Sequence, residues 1–242
     1  MELSSSMDHH GPMTKTVEDC ALVLSAIVGH DPKDAKSSTL PALDYSRALT
    51  GDIKGLRIGV PKEFFEVPLD SEIKQSVEDA LNVLADLGAV VREVSWPAFH
   101  NAYAISTIIL GADAAQSLRS LVINHGLDIE PLVRNRVETG FFIPVARYLQ
   151  AQRARYILNR QSYDLLKQVD ILAGPTLSVT APTIGQTEVT VAGTLMHVGE
   201  ALTRYTRAYN LNGLPTISVP CGFSSKKLPV GFQLAGRAFE EE

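Results

Sequence analysis

Between Thr16 and Gly29 the chain carries an almost unbroken apolar run, Cys20 to Val28, behind Thr16-Val17-Glu18-Asp19. A hydroxyl followed by early carboxylates is how a capped helix begins. The spacing predicts a helix ending at Val28, with Gly29 suited to the left-handed position that follows a helix. Asp31 to Asp52 is polar and holds two prolines, so it reads as a connecting loop with one helical turn around Tyr45 to Leu49. The period then changes. Leu56 to Val60, stopped by Pro61, is a strand. Asp70 or Ser71 caps a helix in which Ile73, Val77, Ala80, Leu81, Leu84 and Leu87 recur every three or four residues, and Gly88 ends it. Val90 to Val94 is again β-rich. Residues 56–94 are therefore a β-α-β unit with a right-handed crossover.

Residues 98–125 read as helical, with Ala102 to Ala115 apolar enough to be buried on more than one side. Pro144 to Val169 is a long helix on which Val145, Leu149, Gln152, Tyr156 and Tyr163 share a face. Ile171 to Pro175 is a short strand and Leu195 to Tyr209 another helix. Thr216 to Pro220 and Val230 to Ala235 are strands around a turn at Gly222 to Leu228. Strands and helices alternate to the end without an internal repeat. The fold class that follows is α/β, a mixed twisted β-sheet covered by helices.

Composition narrows the function. The 242 residues are 45% apolar and 20% charged, which excludes a disordered or fibrous chain. Lys and Arg total 22 against 27 Asp and Glu, so the net charge of −5 lacks the positive excess that nucleic acid or an anionic membrane would select. A small-molecule partner fits better. Two cysteines, Cys20 and Cys221, make no disulfide framework and suit a reducing compartment, the cytoplasm by default. The start shows no basic and apolar leader, and Pro175 and Pro182 interrupt the one long charge-free stretch, Ile171 to Thr187.

Three groups of residues invite chemistry. Asp8, His9 and His10 are metal-ligand types, but adjacent residues seldom share one ion, and His30, His100, His125 and His197 are scattered; no metal and no cofactor is expected. Cys221 has no base near it in sequence and reads as a structural thiol. Arg134, Arg136, Arg147, Arg153, Arg155 and Arg160 are six of the thirteen arginines. Those of the long helix point around it rather than along one stripe, which argues for a solvated, partly paired helix over a nucleic-acid surface. The narrower alternative is that one of them, Arg136, reaches a pocket and holds a substrate carboxylate by a bidentate pair.

The run Ser6-Met7-Asp8-His9-His10-Gly11-Pro12-Met13-Thr14, continuing through Asp19 and on to Gly29 and Asp31-Pro32, resembles the amidase signature family. A second anchor, Tyr209-Asn210-Leu211-Asn212-Gly213-Leu214-Pro215 through Phe223 and then Leu228 to Arg237, resembles that family's closing strands. Asp52 to Pro61 and Asp170 to Thr176 fall between in the same order, so the likeness covers essentially the whole chain as a single amidase domain, 1–242, in its C-terminal part.

The resemblance implies cleavage of a carbon–nitrogen amide bond by a serine nucleophile, a bridging serine and a neutral lysine that takes the hydroxyl proton, with backbone amides holding the oxyanion. In the family these groups come from a glycine- and serine-rich loop and a lysine before it. None of the seventeen glycines here adjoins another, and Ser4, Ser5 and Ser6 lead into the Asp8 anchor without such a loop. The expectation is an incomplete domain whose catalytic serines and lysine lie upstream, inactive alone, working with a complementing N-terminal chain or as a homo-oligomer on a small-molecule amide. In one branch of the family, the subunit that releases ammonia from glutamine for transfer to misacylated tRNA, the resemblance places Arg136 at the substrate carboxylate. It places an acidic residue near Thr203, which is not acidic, so a general amide hydrolase is the better expectation. A non-catalytic binding or assembly module is the other class.

Overall fold

The computed structural model describes residues 2–241. The β-α-β unit forms as patterned. Strand β1 (Arg57–Pro61) pairs in parallel with β2 (Val90–Val94), Arg57 opposite Val90 and Pro61 opposite Val94. Parallel strand β3 (Ile171–Pro175) lies on the other side of β1. Strand β7 (Pro229–Ala235) runs antiparallel to β3, and β6 (Thr216–Phe223) antiparallel to β7, with a bulge between Pro220 and Gly222. The sheet order β2-β1-β3-β7-β6 is mixed, as the alternation of elements required.

Helix α1 (Val17–Ile27) is capped by Thr16, whose hydroxyl accepts from the Asp19 N–H. Its end departs from expectation: Val28 leaves in an extended conformation and Gly29, at φ 158°, is far from the left-handed basin. Only Ala21 of this apolar helix is buried. The expected helical turn is a 3₁₀ segment, Tyr45–Ala48. Helix α2 (Ser71–Asp86), capped by Asp70, seats Ile73 and Val77 in the core, and Gly88 follows at φ +97° with its N–H on the Ala85 carbonyl.

The helical stretch expected over 98–125 is divided. Pro97 opens a 3₁₀ turn, α3 spans Ala102–Ser117, and Leu118 breaks the geometry before α4 (Arg119–His125). Helix α5 (Pro131–Gly140), to which the pattern assigned nothing, begins with proline at a position where its missing N–H costs nothing. Helix α6 (Val145–Leu166) buries Ala151, Leu158, Ser162, Leu165 and Leu166. The face shared by Val145, Leu149, Tyr156 and Tyr163 is turned to solvent; Val145 is 73% exposed and Tyr156 68%. Apolar content at helical spacing does not say which of two faces meets the core.

The expected helix from Leu195 to Tyr209 does not form as one piece. A two-stranded hairpin, β4 (Glu188–Val191) and β5 (Thr194–His197), precedes α7 (Val198–Ala201) and α8 (Thr206–Asn212). Ala192 and Gly193, at φ 47° and 80°, make the turn, and Val191 and Met196 bury against Val179 and Ala201. A tight turn and alternating burial outweigh the local helical spacing. The main core is aromatic at its centre. Phe64 packs edge-on to Phe99 at 4.6 Å and to Tyr205 at 5.6 Å, and the Tyr205 hydroxyl donates to the Phe64 carbonyl.

Candidate functional site

The two anchor motifs, some 200 residues apart in sequence, meet. Asn210 Nδ2 donates to the Met7 carbonyl at 2.8 Å and lies 3.2 Å from His9 Nδ1. Arg155, half-buried on α6, binds both: Nε donates to the Leu211 carbonyl, Nη1 to Ser6 Oγ and Nη2 to the Ser6 carbonyl. Ser4, fully buried, donates to Asp113 Oδ2, and Asp8 accepts from the N–H groups of Leu3 and Ser4. Arg155 is thus a fastener between chain segments rather than part of a solvated arginine face. Burial pulls its guanidinium below the usual value.

Among the described residues no three His, Cys, Asp or Glu side chains converge as metal ligands, and no helix is long and apolar enough to cross a membrane. Cys221 is half-buried on β6 and burial pushes its thiol up, away from nucleophilic use at neutral pH. Two open depressions, of about 410 and 380 Å³, lie along β1, β2 and α2 and beside Phe223; neither reaches Arg136.

Arg136 sits in a different setting. It is exposed on α5, and among the described residues it has neither a hydrogen bond nor an ion pair, whereas Arg134 on the same helix meets Glu138 at 3.6 Å and the Gly126 carbonyl. Its Nη2 lies over Gly199, 3.2 Å from where a side chain there would start. Gly199 is the second residue of α7, and His197 Nδ1, capping that helix, accepts its N–H at 2.9 Å. One turn on, Thr203 Oγ1 donates to the Gly199 carbonyl at 2.6 Å and accepts from Arg207 Nε at 2.8 Å. Arg207 Nη1 binds Ser106 Oγ and Thr107 Oγ1 on α3, and its guanidinium lies 4.4 Å over the Tyr103 ring. Burial and the charge of Arg136 both hold the Arg207 guanidinium below its usual value.

Arg136 and Thr203, the two positions that the family likeness singled out, therefore come to one place, on α5 and after α7. Arg207 and Tyr103 complete it, and no local motif marked either. The result is a positive cluster on hydroxyl and aromatic supports, suited to an anionic or carbonyl-bearing group.

A mixed sheet under helices, with both anchor motifs joined, is the frame of an amidase-signature protein, and the chain belongs to the Amidase family, whose model matches residues 1–242. A glutamyl-tRNA(Gln) amidotransferase subunit of Roseiflexus sp. (strain RS-1) is 39% identical over 269 residues, covering 99% of this chain and 53% of that protein. The corresponding protein of Gloeobacter violaceus is 37% identical, with 98% and 53% covered. Among solved structures, a chain from a study of an unexpected vestigial protein complex, bearing on the origins of an s-triazine catabolic enzyme, superposes with a TM-score of 0.91 at 29% identity; 100% of this chain and 52% of that one are covered. The glutamyl-tRNA(Gln) amidotransferase subunit from Thermotoga maritima gives 0.76 at 30%, with 99% and 51% covered. The chain spans about half the length of the curated relatives it matches.

Proposed function

We propose that this chain is the substrate-anchoring part of an enzyme that hydrolyses a carbon–nitrogen amide bond, with Arg136 holding the anionic or carbonyl-bearing end of a small-molecule substrate. The observation that carries the reading is an arginine exposed beside the α7 turn with no ion pair among the described residues, on a chain whose family acts on amides. The serine nucleophile, the bridging serine and the lysine base are supplied from outside these residues, as a preceding segment or a separate chain. The scaffold then binds and orients while the added half attacks. Alone, the 242 residues are expected to show no turnover of simple aryl or aliphatic amides; turnover abolished by a serine-directed inhibitor would overturn this placement of the catalytic groups.

The test of Arg136 is a chimera in which the first half of the Thermotoga maritima relative precedes this chain. Losing one charge-assisted bidentate contact in Arg136→Ala lowers kcat/KM by a few tens-fold, about 2 kcal/mol, for carboxylate-bearing amides and much less for neutral ones. Equal losses on both would make Arg136 structural. A second reading, an amidotransferase component working on glutamine and tRNA, is favoured by the names of the curated relatives. Thr203 in place of an acidic residue weighs against glutamine, and a chimera with glutaminase activity exceeding its activity on other amides would favour that second reading.

A further inference from the structure

The support of Arg207 is chemically unusual and goes beyond the reading of Arg136, on which this inference rests. Three of its neighbours are hydroxyls, and each already donates elsewhere: Thr203 Oγ1 to the Gly199 carbonyl, Ser106 Oγ and Thr107 Oγ1 to the Tyr103 carbonyl. With their protons committed, these oxygens turn lone pairs to the guanidinium and orient it. They carry no charge, so they fix Arg207 without neutralising it. The nearby carboxylate of Glu200 acts on Arg207 only through its charge and at lesser strength than burial and Arg136, its ion pair being with Arg204. Nη2 of Arg207 has no partner among the described residues, while Nε and Nη1 are both used.

Arg136 reaches the same turn from α5. Arg136 Nη2 lies beside Gly199, whose carbonyl accepts from Thr203 Oγ1, and Thr203 Oγ1 in turn accepts from Arg207 Nε, while the charge of Arg136 acts on Arg207. Two guanidinium groups so placed repel, and one of them is half-buried. A fold tolerates such a pair at lowest cost when an anion lies between them. The forked donors of two arginines match the two oxygens of one carboxylate. The same field opposes a positive group at that end of the ligand.

We propose that Arg207 is a second cation of the Arg136 site and a specificity-determining residue, selecting amides whose far end is a carboxylate with no ammonium group beside it. Arg136 meets the ligand from the exposed side, and Arg207 offers its free Nη2 from the supported side. Thr203 sets the charge of the site: its hydroxyl leaves Arg207 positive, and a carboxylate in its place would neutralise Arg207 and admit an ammonium group.

Calorimetric titration of the 242-residue chain with succinamate, glutamine and propionamide tests this. Succinamate binds, glutamine at least tenfold more weakly, and propionamide gives no saturable heat. Arg207→Gln weakens succinamate at least tenfold and Arg207→Lys, which keeps the charge but loses the fork, falls between. Thr203→Asp, which keeps the Arg207 contact and so its position, weakens succinamate and brings glutamine level with it. An Arg207→Gln affinity equal to that of the parent, with binding lost in Arg136→Gln, overturns the role of Arg207 and leaves the reading of Arg136 standing. Binding lost in Arg207→Gln and unchanged in Arg136→Gln does the reverse. Equal binding of succinamate and glutamine by the parent overturns the substrate class, and absence of succinamate binding overturns both.

Discussion

Helices α3 and α5 touch backbone to backbone at Gly140, and that contact sets where Arg136 stands one turn earlier. A Cβ at position 140 would lie 2.0 Å from the Gly111 carbonyl oxygen and 2.8 Å from both the Gly111 carbonyl carbon and Ala115 Cβ. Backbone cannot rotate out of the way, so Gly140→Ala must part the two helices by about 1 Å, enough to forfeit about half of each contact well between them. The small core of Ala114, Leu118 and Val137 lies in that seam. Overpacking of this kind costs about 3 kcal/mol, and alanine's better helix propensity returns up to about 1. The net loss of about 2 kcal/mol lowers the midpoint by about 4–8 °C in a chain of this length. Gly111→Ala is the control: its Cβ meets the terminal Cδ1 of Ile143 at 3.0 Å and Gly140 Cα only at 4.0 Å. A side-chain tip can turn away, and stability should stay within about 1 kcal/mol of the parent. Thermal and urea unfolding of both variants decide the matter. A Gly140→Ala midpoint no lower than that of Gly111→Ala would refute the seam.

Gly88→Val, at φ +97°, is expected to destabilise by about 1–2 kcal/mol more than the exposed Asn82→Ala; equal midpoint shifts would mean that the end of α2 is misplaced. Glu63 is 2% exposed, and although burial pushes its carboxyl up, the Ser95 hydroxyl and Trp96 N–H that it accepts hold it below the usual value on balance. Its contribution is therefore full above the unfolded value and lost as pH falls through the folded one. Glu63→Gln should cost about 1–3 kcal/mol at pH 7, with the gap to the parent narrowing below about pH 4 in urea titrations; a gap independent of pH would contradict this. The outward apolar face of α6 with Phe142, which is 84% exposed, and α1 with Ile27, 60% exposed, should bind a hydrophobic dye and promote association of the isolated chain. A monodisperse monomer with little dye binding would show those faces to be ordinary surface.

What the sequence determined by itself is local. Thr16 and Asp70 as caps, the three-to-four spacing from Ile73 to Leu84, Gly88 after α2 and the β-branched runs of β1 and β2 each act within a few residues, and the β-α-β unit follows from them. The α/β class and the amidase likeness were legible for the same reason, since both reside in contiguous motifs. Tertiary structure decided the rest. Which face of α6 is buried depends on α3 and α8, which lie tens of residues away in sequence, and the Glu188-to-His197 hairpin won over a helix because Val179 and Ala201 were there to cover it. Arg136 could be singled out by likeness, but Arg207, the second cation proposed above, could not: the hydroxyls that hold it come from α3, a hundred residues upstream. A guanidinium's charge is written in the sequence. Whether a carboxylate, a hydroxyl or a second guanidinium faces it is settled only when the chain has folded, because Coulomb and hydrogen-bond terms depend on distance in space and not along the chain.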